Sequence, residues 1–266
     1  MRWKRIEETI GGTSISPSML GKYLHCPMQW YYRYVEREKT PARIVMATGS
    51  AVHMAAAMDM ENTIEDGKHL PVKDLQEIAV ADFENRLDDI ELTEKEQEKG
   101  KDLALAEAKD RTVDLVSLYA KKAEPLRAKD VEMTLEGRFN LGEDTIDLIG
   151  KPDALLVNDE VLDFKTVKSV WPTSRLENDL QITIYSMLAD AEKIALFFMK
   201  QGKRKGEAKI VEATRTTKQK IRALNLIVRI LDSIEAGIFP PADPTSWVCS
   251  KNYCDYWNIC PFGGKN

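Results

Sequence analysis

The segment GKPDALLVNDEVLDFKTV, residues 150–167, determines how the rest of the chain is interpreted. Two short apolar runs flank its Asn-Asp-Glu sequence, and this pattern is typical of a β-hairpin. Asp163 and Lys165 are two residues apart in the second strand, so their side chains share one face of the sheet. Asp153 is expected to lie beside them, on the neighbouring strand. The sequence therefore predicts two carboxylates and one ammonium group at one place.

This combination of side chains suits phosphodiester hydrolysis. Two carboxylates are typical ligands of a hard divalent cation such as Mg²⁺, which leaves coordination positions open for water and phosphate. A lysine beside them can orient the attacking water or stabilise charge on the phosphate. Taken alone, an Asp-x-Lys sequence on a strand is most often a pair of solvated charges. The context is more informative, because Pro152-Asp153 precedes Asp163 by nine intervening residues and a helix with Gln181 and Tyr185 follows.

This arrangement resembles the PD-(D/E)XK nuclease superfamily in its RecB-like branch, where a Gln-x-x-x-Tyr helix follows the catalytic hairpin. The resemblance implies that Asp153 and Asp163 bind metal and that Lys165 is catalytic. It also implies that Gln181 and Tyr185 help to hold the site or the DNA. These two residues are four apart and therefore lie on one helix face, as that role requires.

The resemblance extends to residues upstream of the hairpin. RecB-like nucleases carry a Gly-x-x-x-His step on a helix, and Gly49 and His53 match it, which makes His53 a third metal ligand. Because imidazole is more typical of transition-metal sites, we expect activity with Mn²⁺ as well as Mg²⁺. The family also places an acid on the strand before Pro-Asp; Glu136 fits that position best, with Glu132 as the alternative. Without the resemblance, these would be an ordinary histidine and ordinary strand charges.

The four cysteines form a one-plus-three pattern, Cys26 near the beginning and Cys249, Cys254 and Cys260 near the end. In a cytosolic protein we expect a metal site rather than structural disulfides. Zinc sites usually consist of two close pairs, and iron–sulfur clusters also take four thiolates. The split resembles the iron–sulfur subset of RecB-like nucleases, which includes the CRISPR adaptation exonuclease and AddB-type nuclease domains. The resemblance implies a 4Fe-4S cluster that joins the terminal segments, although the gap between Cys249 and Cys254 leaves the cluster type open.

Composition limits the function classes. The chain has 266 residues and a net charge of −5, so DNA binding requires a local basic surface. Lys203, Arg204 and Lys205 are predicted to contact DNA phosphates, although such a run is usually just a soluble hairpin tip.

No apolar run approaches the ~20 residues of a membrane span, and no signal region begins the chain, so we expect a cytoplasmic protein, host- or phage-encoded. There is no GxxxxGK[ST] motif, so unwinding would need a helicase partner.

We expect one RecB-like nuclease domain over residues 1–266. Its parts are a mainly helical region (16–125), a catalytic sheet with the Gln-x-x-x-Tyr helix (130–215), and a helix with a cysteine-rich tail (216–266). Within these parts, residues 1–15 are predicted to be a loose lead-in and 93–122 a single long helix. Strands are predicted at 131–141, 145–149, 193–200 and 208–215.

The expected fold class is α/β, with a restriction-endonuclease-like core, a mixed central sheet flanked by helices, and termini joined by the four-cysteine cluster. The expected function is a metal-dependent exonuclease on single-stranded DNA or DNA ends. Repair, recombination, phage replication and CRISPR adaptation all stay open as contexts, as do a homo-oligomer and a recombination partner. The alternative is a catalytically weak iron–sulfur protein that binds DNA or docks a partner; an electron carrier is a poorer option.

Overall fold

The computed structural model describes residues 3–141, 144–202 and 206–264. The helices are α1 (Lys4–Ile10), α2 (Pro17–His25), α3 (Pro27–Tyr34), α4 (Ile44–Glu65), α5 (Val72–Asn85), α6 (Glu94–Lys99), α7 (Lys101–Ala123), α8 (Thr173–Asn178), α9 (Leu180–Leu188) and α10 (Thr217–Glu235). The strands are β1 (Ser14–Ile15), β2 (Ala42–Arg43), β3 (Ile90–Glu91), β4 (Ala128–Val131), β5 (Leu135–Leu141), β6 (Asp144–Gly150), β7 (Ala154–Leu156), β8 (Val161–Val167), β9 (Lys193–Lys200) and β10 (Glu207–Thr214).

The strands form mixed sheets, which confirms the predicted α/β class. The largest sheet has the order β10-β9-β8-β7-β4, and β8 and β9 run parallel while the other neighbours are antiparallel. A second sheet has the order β1-β6-β5, with β1 parallel to β6. β2 and β3 form a short parallel pair. Among the described residues, none of the helices combines the length and the apolarity needed to span a bilayer.

Strand β9, which was predicted as a buried strand, is an interior strand of the largest sheet. Its residues 194–199 are all buried, since β8 and β10 cover its edges and helices cover both faces. Phe197 and Met199 pack with side chains of α4, α5 and α7. Leu196 and Phe198 point to the opposite face and pack with α9. A strand buried on both faces needs a continuous apolar run instead of an alternating one, and this explains the sequence.

Two helix starts follow the sequence prediction. The Ser16 side chain accepts a hydrogen bond of 3.3 Å from the Met19 backbone N–H and thereby caps α2, which begins at Pro17. Cys26 has an extended backbone, with φ of −161°, and α3 starts at Pro27 immediately after it. Proline at the first helical position is favourable because its missing N–H would have no helical partner there.

Three local predictions were wrong. The lead-in contains α1, whose neighbour Trp3 is buried and donates a hydrogen bond of 2.9 Å to Asp232 of α10, so tertiary packing stabilises a helix too short to form alone. The long helix is divided into α6 and α7 at Gly100, which has a φ of +91°. The strand over 131–141 is divided into β4 and β5 because Glu132 adopts a left-handed conformation, with φ of +51°.

A buried polar network joins α4 to α7 and to the segment that precedes α5. Asp59 is 1% exposed and accepts hydrogen bonds from the Tyr119 hydroxyl at 2.7 Å and the Leu70 backbone N–H at 2.6 Å. Its carboxylate is also 2.6 Å from His69 Nδ1. Every oxygen of the buried carboxylate is therefore paired, and the network fixes the far end of the helix that carries His53.

Candidate active site

The predicted hairpin is present and consists of β7 and β8. Its turn is closed by a hydrogen bond of 2.9 Å from the Leu156 N–H to the Glu160 carbonyl, and Asp159 has a φ of +61°. The antiparallel pairing includes Ala154 with Leu162. Aspartate tolerates the left-handed region better than most residues, so the turn chemistry matches the sequence.

Asp153 lies just before β7 and joins three parts of the structure. One carboxylate oxygen accepts a hydrogen bond of 2.6 Å from the Phe164 backbone N–H, in the part of β8 that extends beyond its pairing with β7. The other oxygen is 3.0 Å from Nδ1 of His53, on α4. The hairpin and α4 therefore meet at this carboxylate.

Gly49 lies one helical turn before His53 and lets α4 approach β8 closely. A Cβ atom built at Gly49 would be 3.2 Å from Oγ1 of Thr166, closer than nine in ten real contacts of that kind. The His53 ring packs edge-on against the Phe164 ring at a centroid distance of 5.9 Å. The Gly-x-x-x-His spacing thus has a packing role: glycine sets the distance of the helix, and histidine reaches the strand end.

Asp163 and Lys165 share one face of β8, as the strand period requires, and α9 covers that face. The Lys165 ammonium forms an ion pair with Oδ2 of Asp163 and donates a hydrogen bond of 2.9 Å to the side-chain oxygen of Gln181. The Gln181 amide nitrogen donates to Asp163 Oδ1 at 3.3 Å and to the Tyr185 oxygen at 3.0 Å. The Tyr185 hydroxyl donates to the Lys151 carbonyl at 3.0 Å. The Gln-x-x-x-Tyr pair therefore links the lysine to the backbone before β7.

The electrostatics of the site are dominated by burial of a carboxyl group. Asp163 is 4% exposed, and burial raises its pKa to about 6, although the Lys165 ammonium opposes the shift. Burial lowers the pKa of His53, but the hydrogen bond and negative charge of Asp153, helped by the charge of Asp163, outweigh it and the net pKa is raised. Burial therefore opposes a charge on Asp163, whereas the nearby carboxylates favour a charge on His53.

The donor chemistry fits a divalent cation. Asp163 is buried and its Oδ2 is paired with the Lys165 ammonium, so this oxygen already faces a positive charge, and carboxylate oxygens are the ligands that a hard divalent cation prefers. In the described ranges, no three His, Cys, Asp or Glu side chains are arranged to hold an ion. The carboxylates of Asp153 and Asp163 are instead engaged by His53 and Lys165.

Two sets of residues that the sequence assigned to the site or to DNA contacts are not found beside Asp163 and Lys165. Glu136 is exposed on β5; a Cβ built at the next residue, Gly137, would meet Leu188 of α9, so Glu136 points away from α9 and its assignment as a site acid is corrected. The alternative, Glu132, is also directed outward, because its carboxylate pairs with the Lys151 ammonium at 2.7 Å and is half-exposed. The predicted DNA contacts Lys203, Arg204 and Lys205 fall outside the described residues.

The structure brings the four cysteines together at one pocket. Cys26, Cys249, Cys254 and Cys260 all line it and none is in a disulfide. The Ala242 backbone N–H donates a hydrogen bond of 3.3 Å to Cys26 Sγ, the kind of contact that stabilises a thiolate. Burial raises the pKa of Cys254 to about 11, so a thiolate here needs a compensating positive charge. No three of these sulfurs are arranged to ligate a single ion.

Sequence reasoning missed an aromatic–cation pair next to the lysine. The Arg175 guanidinium carbon lies 3.7 Å from the centroid of the Trp171 ring, and the Lys165 ammonium lies 5.6 Å from the same centroid. The signal in the sequence is a tryptophan in a polar segment shortly after the hairpin.

Comparisons with known proteins identify the family of the chain. The family model of the PD-(D/E)XK nuclease superfamily matches residues 14–261. A candidate exonuclease from Eubacterium rectale has a similar structure, with a TM-score of 0.50 and 12% identity over 89% of this chain and 87% of that one. The protein SSO0001 gives 0.48 and 16% over 98% and 93%, and a phage-related exonuclease from Haemophilus somnus 129PT gives 0.34 and 11% over 85% and 95%. No curated protein sequence matches significantly. The likeness to the Eubacterium rectale protein concerns the fold alone. The family match extends over nearly the whole sequence, and the chain belongs to the PD-(D/E)XK nuclease superfamily.

Proposed function

We propose that this protein is a divalent-metal-dependent deoxyribonuclease that acts as an exonuclease on single-stranded DNA or DNA ends. The observation that carries the proposal is the grouping of Asp153, Asp163 and Lys165. Asp153 is bonded to His53 and to the Phe164 N–H, and Asp163 and Lys165 are joined by their ion pair and by Gln181. Asp163 is buried, and a buried carboxylate is costly to maintain for stability alone even beside a lysine. The superfamily match supports a role for this grouping in phosphodiester hydrolysis.

Each side chain has a role in the proposed reaction. Asp153, Asp163 and His53 would hold Mg²⁺ or Mn²⁺, which stabilises negative charge and lowers the pKa of water when bound. Lys165 is directed into the site by Asp163 and Gln181, so its ammonium can orient the attacking water and stabilise the phosphate oxygens. Gln181 fixes the lysine, and Tyr185 positions Gln181 by its bond to the backbone. Preorganisation of this kind avoids rearrangement during the reaction.

We also propose that the four cysteines hold a 4Fe-4S cluster. Their convergence on one pocket and the N–H···S contact at Cys26 support the proposal. The cluster would hold the α2–α3 junction against the tail within a single domain of residues 1–266. Lys203, Arg204 and Lys205 are proposed as further phosphate contacts.

The test is a cleavage assay on anaerobically purified protein. End-labelled single- and double-stranded linear DNA and a closed circle are incubated with Mn²⁺, Mg²⁺ or chelator, alongside Lys165→Ala and Asp163→Ala. Lys193→Ala is the matched control, since Lys193 is an exposed strand lysine paired with Glu212. We expect metal-dependent loss of linear but not circular DNA, reduced about 100-fold or more in the two site variants only.

Other outcomes have clear meanings. Equal activity in Lys165→Ala and the wild type would refute the assignment of the site. Absence of cleavage of any substrate by a brown protein with iron–sulfur absorption would instead favour a cluster-bearing DNA-binding module.

A further inference from the structure

A cleft opens beside Lys165, between α2 and the segment from Trp171 to Gln181. One wall is a single face of α2, because Ser18, Gly21, Lys22 and His25 follow the 3–4 residue spacing of neighbours on a helix. The opposite wall contains Trp171 and Arg175, together with the first residues of α9. We call this the α2 cleft. It leads directly to the proposed reactive lysine.

The α2 cleft is locally basic although the whole chain is acidic. Lys22 contributes from α2, Arg175 from α8 and Lys165 from the site, whereas burial lowers the pKa of His25, so its imidazole adds no charge at neutral pH. The acid among its lining residues, Asp179, is already used as the cap of α9, where its side chain accepts a hydrogen bond of 3.1 Å from the Ile182 N–H. A chain with a net charge of −5 thus presents cations where a polyanion would approach the site.

Flat and apolar surfaces alternate with these cations. Trp171 is held in place by edge-on packing against Phe198 at 5.5 Å, and Arg175 lies over its ring. Leu24 and Leu226 line the cleft and are 47% and 38% exposed, respectively. Beyond the rim, the His25 ring lies 6.3 Å from that of Trp247, which is 62% exposed. The apolar side chains therefore face the space that a ligand would fill.

We propose that the α2 cleft binds single-stranded DNA, with Lys22 and Arg175 contacting phosphates, the Trp171–Arg175 pair stacking one base, and Trp247 stacking another beyond the rim. Phosphate-binding cations interleaved with stacking platforms are the pattern by which proteins bind unpaired strands. Bases in a duplex are already stacked and paired, and their faces cannot reach such platforms. The inference rests on the proposed nuclease function and specifies its substrate as an unpaired strand.

Gly21 provides a blocking variant. A Cβ built at this position meets no atom within 4 Å, and the residue is helical, so Gly21→Glu adds a negative side chain to the cleft without a clash in the fold. Gly12→Glu is the matched control: it makes the same charge change at an exposed glycine with equally open surroundings, outside the cleft. Melting temperatures no lower than that of the wild type would verify that folding is intact in both variants.

Binding is measured in chelator, so that no cleavage occurs, by the anisotropy of a fluorescein-labelled oligothymidylate and of a duplex of equal length. We expect the wild type to prefer the single strand and Gly21→Glu to lose about tenfold or more in affinity, with Gly12→Glu unchanged. Trp171→Ala should lose about tenfold. Arg175→Ala should reduce the slope of log affinity against log salt by about 0.7, the value for one phosphate contact on a single strand.

Unchanged binding in both Gly21→Glu and Arg175→Ala, or tighter binding of the duplex, would overturn the proposal. The assay separates this failure from failure of the nuclease assignment. Strand binding that Gly21→Glu abolishes, in a protein that never cleaves, would support the α2 cleft and reject the nuclease. If the wild type cleaves DNA and the variants bind the single strand as tightly as the wild type does, the nuclease is supported and the α2 cleft is rejected.

Discussion

Asp163 is the residue at which stability and the proposed function conflict most directly. It is buried, and its neighbours include the carboxylate of Asp153. The Lys165 ammonium compensates only in part, since the pKa of Asp163 is still raised to about 6. A side chain selected for stability alone would not keep a charge there, whereas a cation would benefit from it.

Asp163→Asn is therefore expected to stabilise the metal-free protein while abolishing cleavage. The folded-state pKa of about 6 exceeds the ordinary value of 3.8, so the unfolded chain releases its proton first as the pH rises. The unfolding free energy consequently falls between about pH 4 and 6, and the penalty is complete above that range. The gain at pH 7.5 should be up to about 3 kcal/mol, at about 1.4 kcal/mol per pKa unit, and should vanish near pH 3.5.

Urea unfolding in chelator across this pH range measures the effect. Asp66→Asn is the control, because Asp66 is exposed at the end of α4 and its substitution should change the unfolding free energy little. A wild type more stable than Asp163→Asn at pH 7.5 would refute the explanation.

At the scale of elements, the contact between α4 and β8 sets the geometry of the site. His53 reaches Asp153 only because Gly49 lets the helix lie close to Thr166. The Asp59 network holds the same helix from its other end. The position of α4 is thus fixed on both sides of His53.

Gly49→Val should destabilise the protein by about 1–3 kcal/mol, the usual cost of overpacking. It should also weaken the response to Mn²⁺, because the helix must move away from β8 and carry the His53 imidazole with it. The readouts are the urea midpoint and the Mn²⁺ concentration for half-maximal cleavage. Gly12→Val is the control, since nothing lies within 4 Å of a Cβ there; equal effects of the two substitutions would count against the packing role.

Elements with strong local signals were predictable, and those defined by distant contacts were not. The continuous apolar run of β9 predicted a buried strand, and the Ser-Pro sequence predicted the start of α2. By contrast, α1 depends on Trp3 and Ile6 packing with residues of α10, more than two hundred positions away in sequence. The division of the long helix depends on one residue, Gly100, which a periodic pattern does not reveal.

At the scale of the whole molecule, the tail after α10 returns to the α2–α3 junction. The Met28 backbone N–H donates to the Pro240 carbonyl at 3.3 Å, and Ala242 donates to Cys26. The Lys22 ammonium lies 5.9 Å from the ring of Tyr256 in the tail, so the helix that lines the α2 cleft also contacts the cysteine-rich segment. The proposed cluster would therefore support one wall of the cleft.

Cys26→Ser should lower the iron content of anaerobically purified protein and make the tail after Pro240 more susceptible to protease. The reason is that one ligand connects the junction to the three cysteines of the tail. Lys251→Ala is the control in the tail, because it removes only an exposed ion pair with Glu94. Inductively coupled plasma spectrometry and limited proteolysis measure the two effects; unchanged iron and unchanged cleavage in Cys26→Ser would refute the cluster.

The sequence by itself determined the strand and helix periods, and with them which residues share a face: Asp163 with Lys165, and Gln181 with Tyr185. These relations depend only on local geometry, which a spacing of two or four residues specifies. The tertiary structure alone decided which faces meet. It turned Glu136 away from α9, placed His53 on Asp153, and put Trp171 and Arg175 opposite α2. Contacts of this kind depend on how sheets and helices pack across long sequence separations, and no local pattern encodes them.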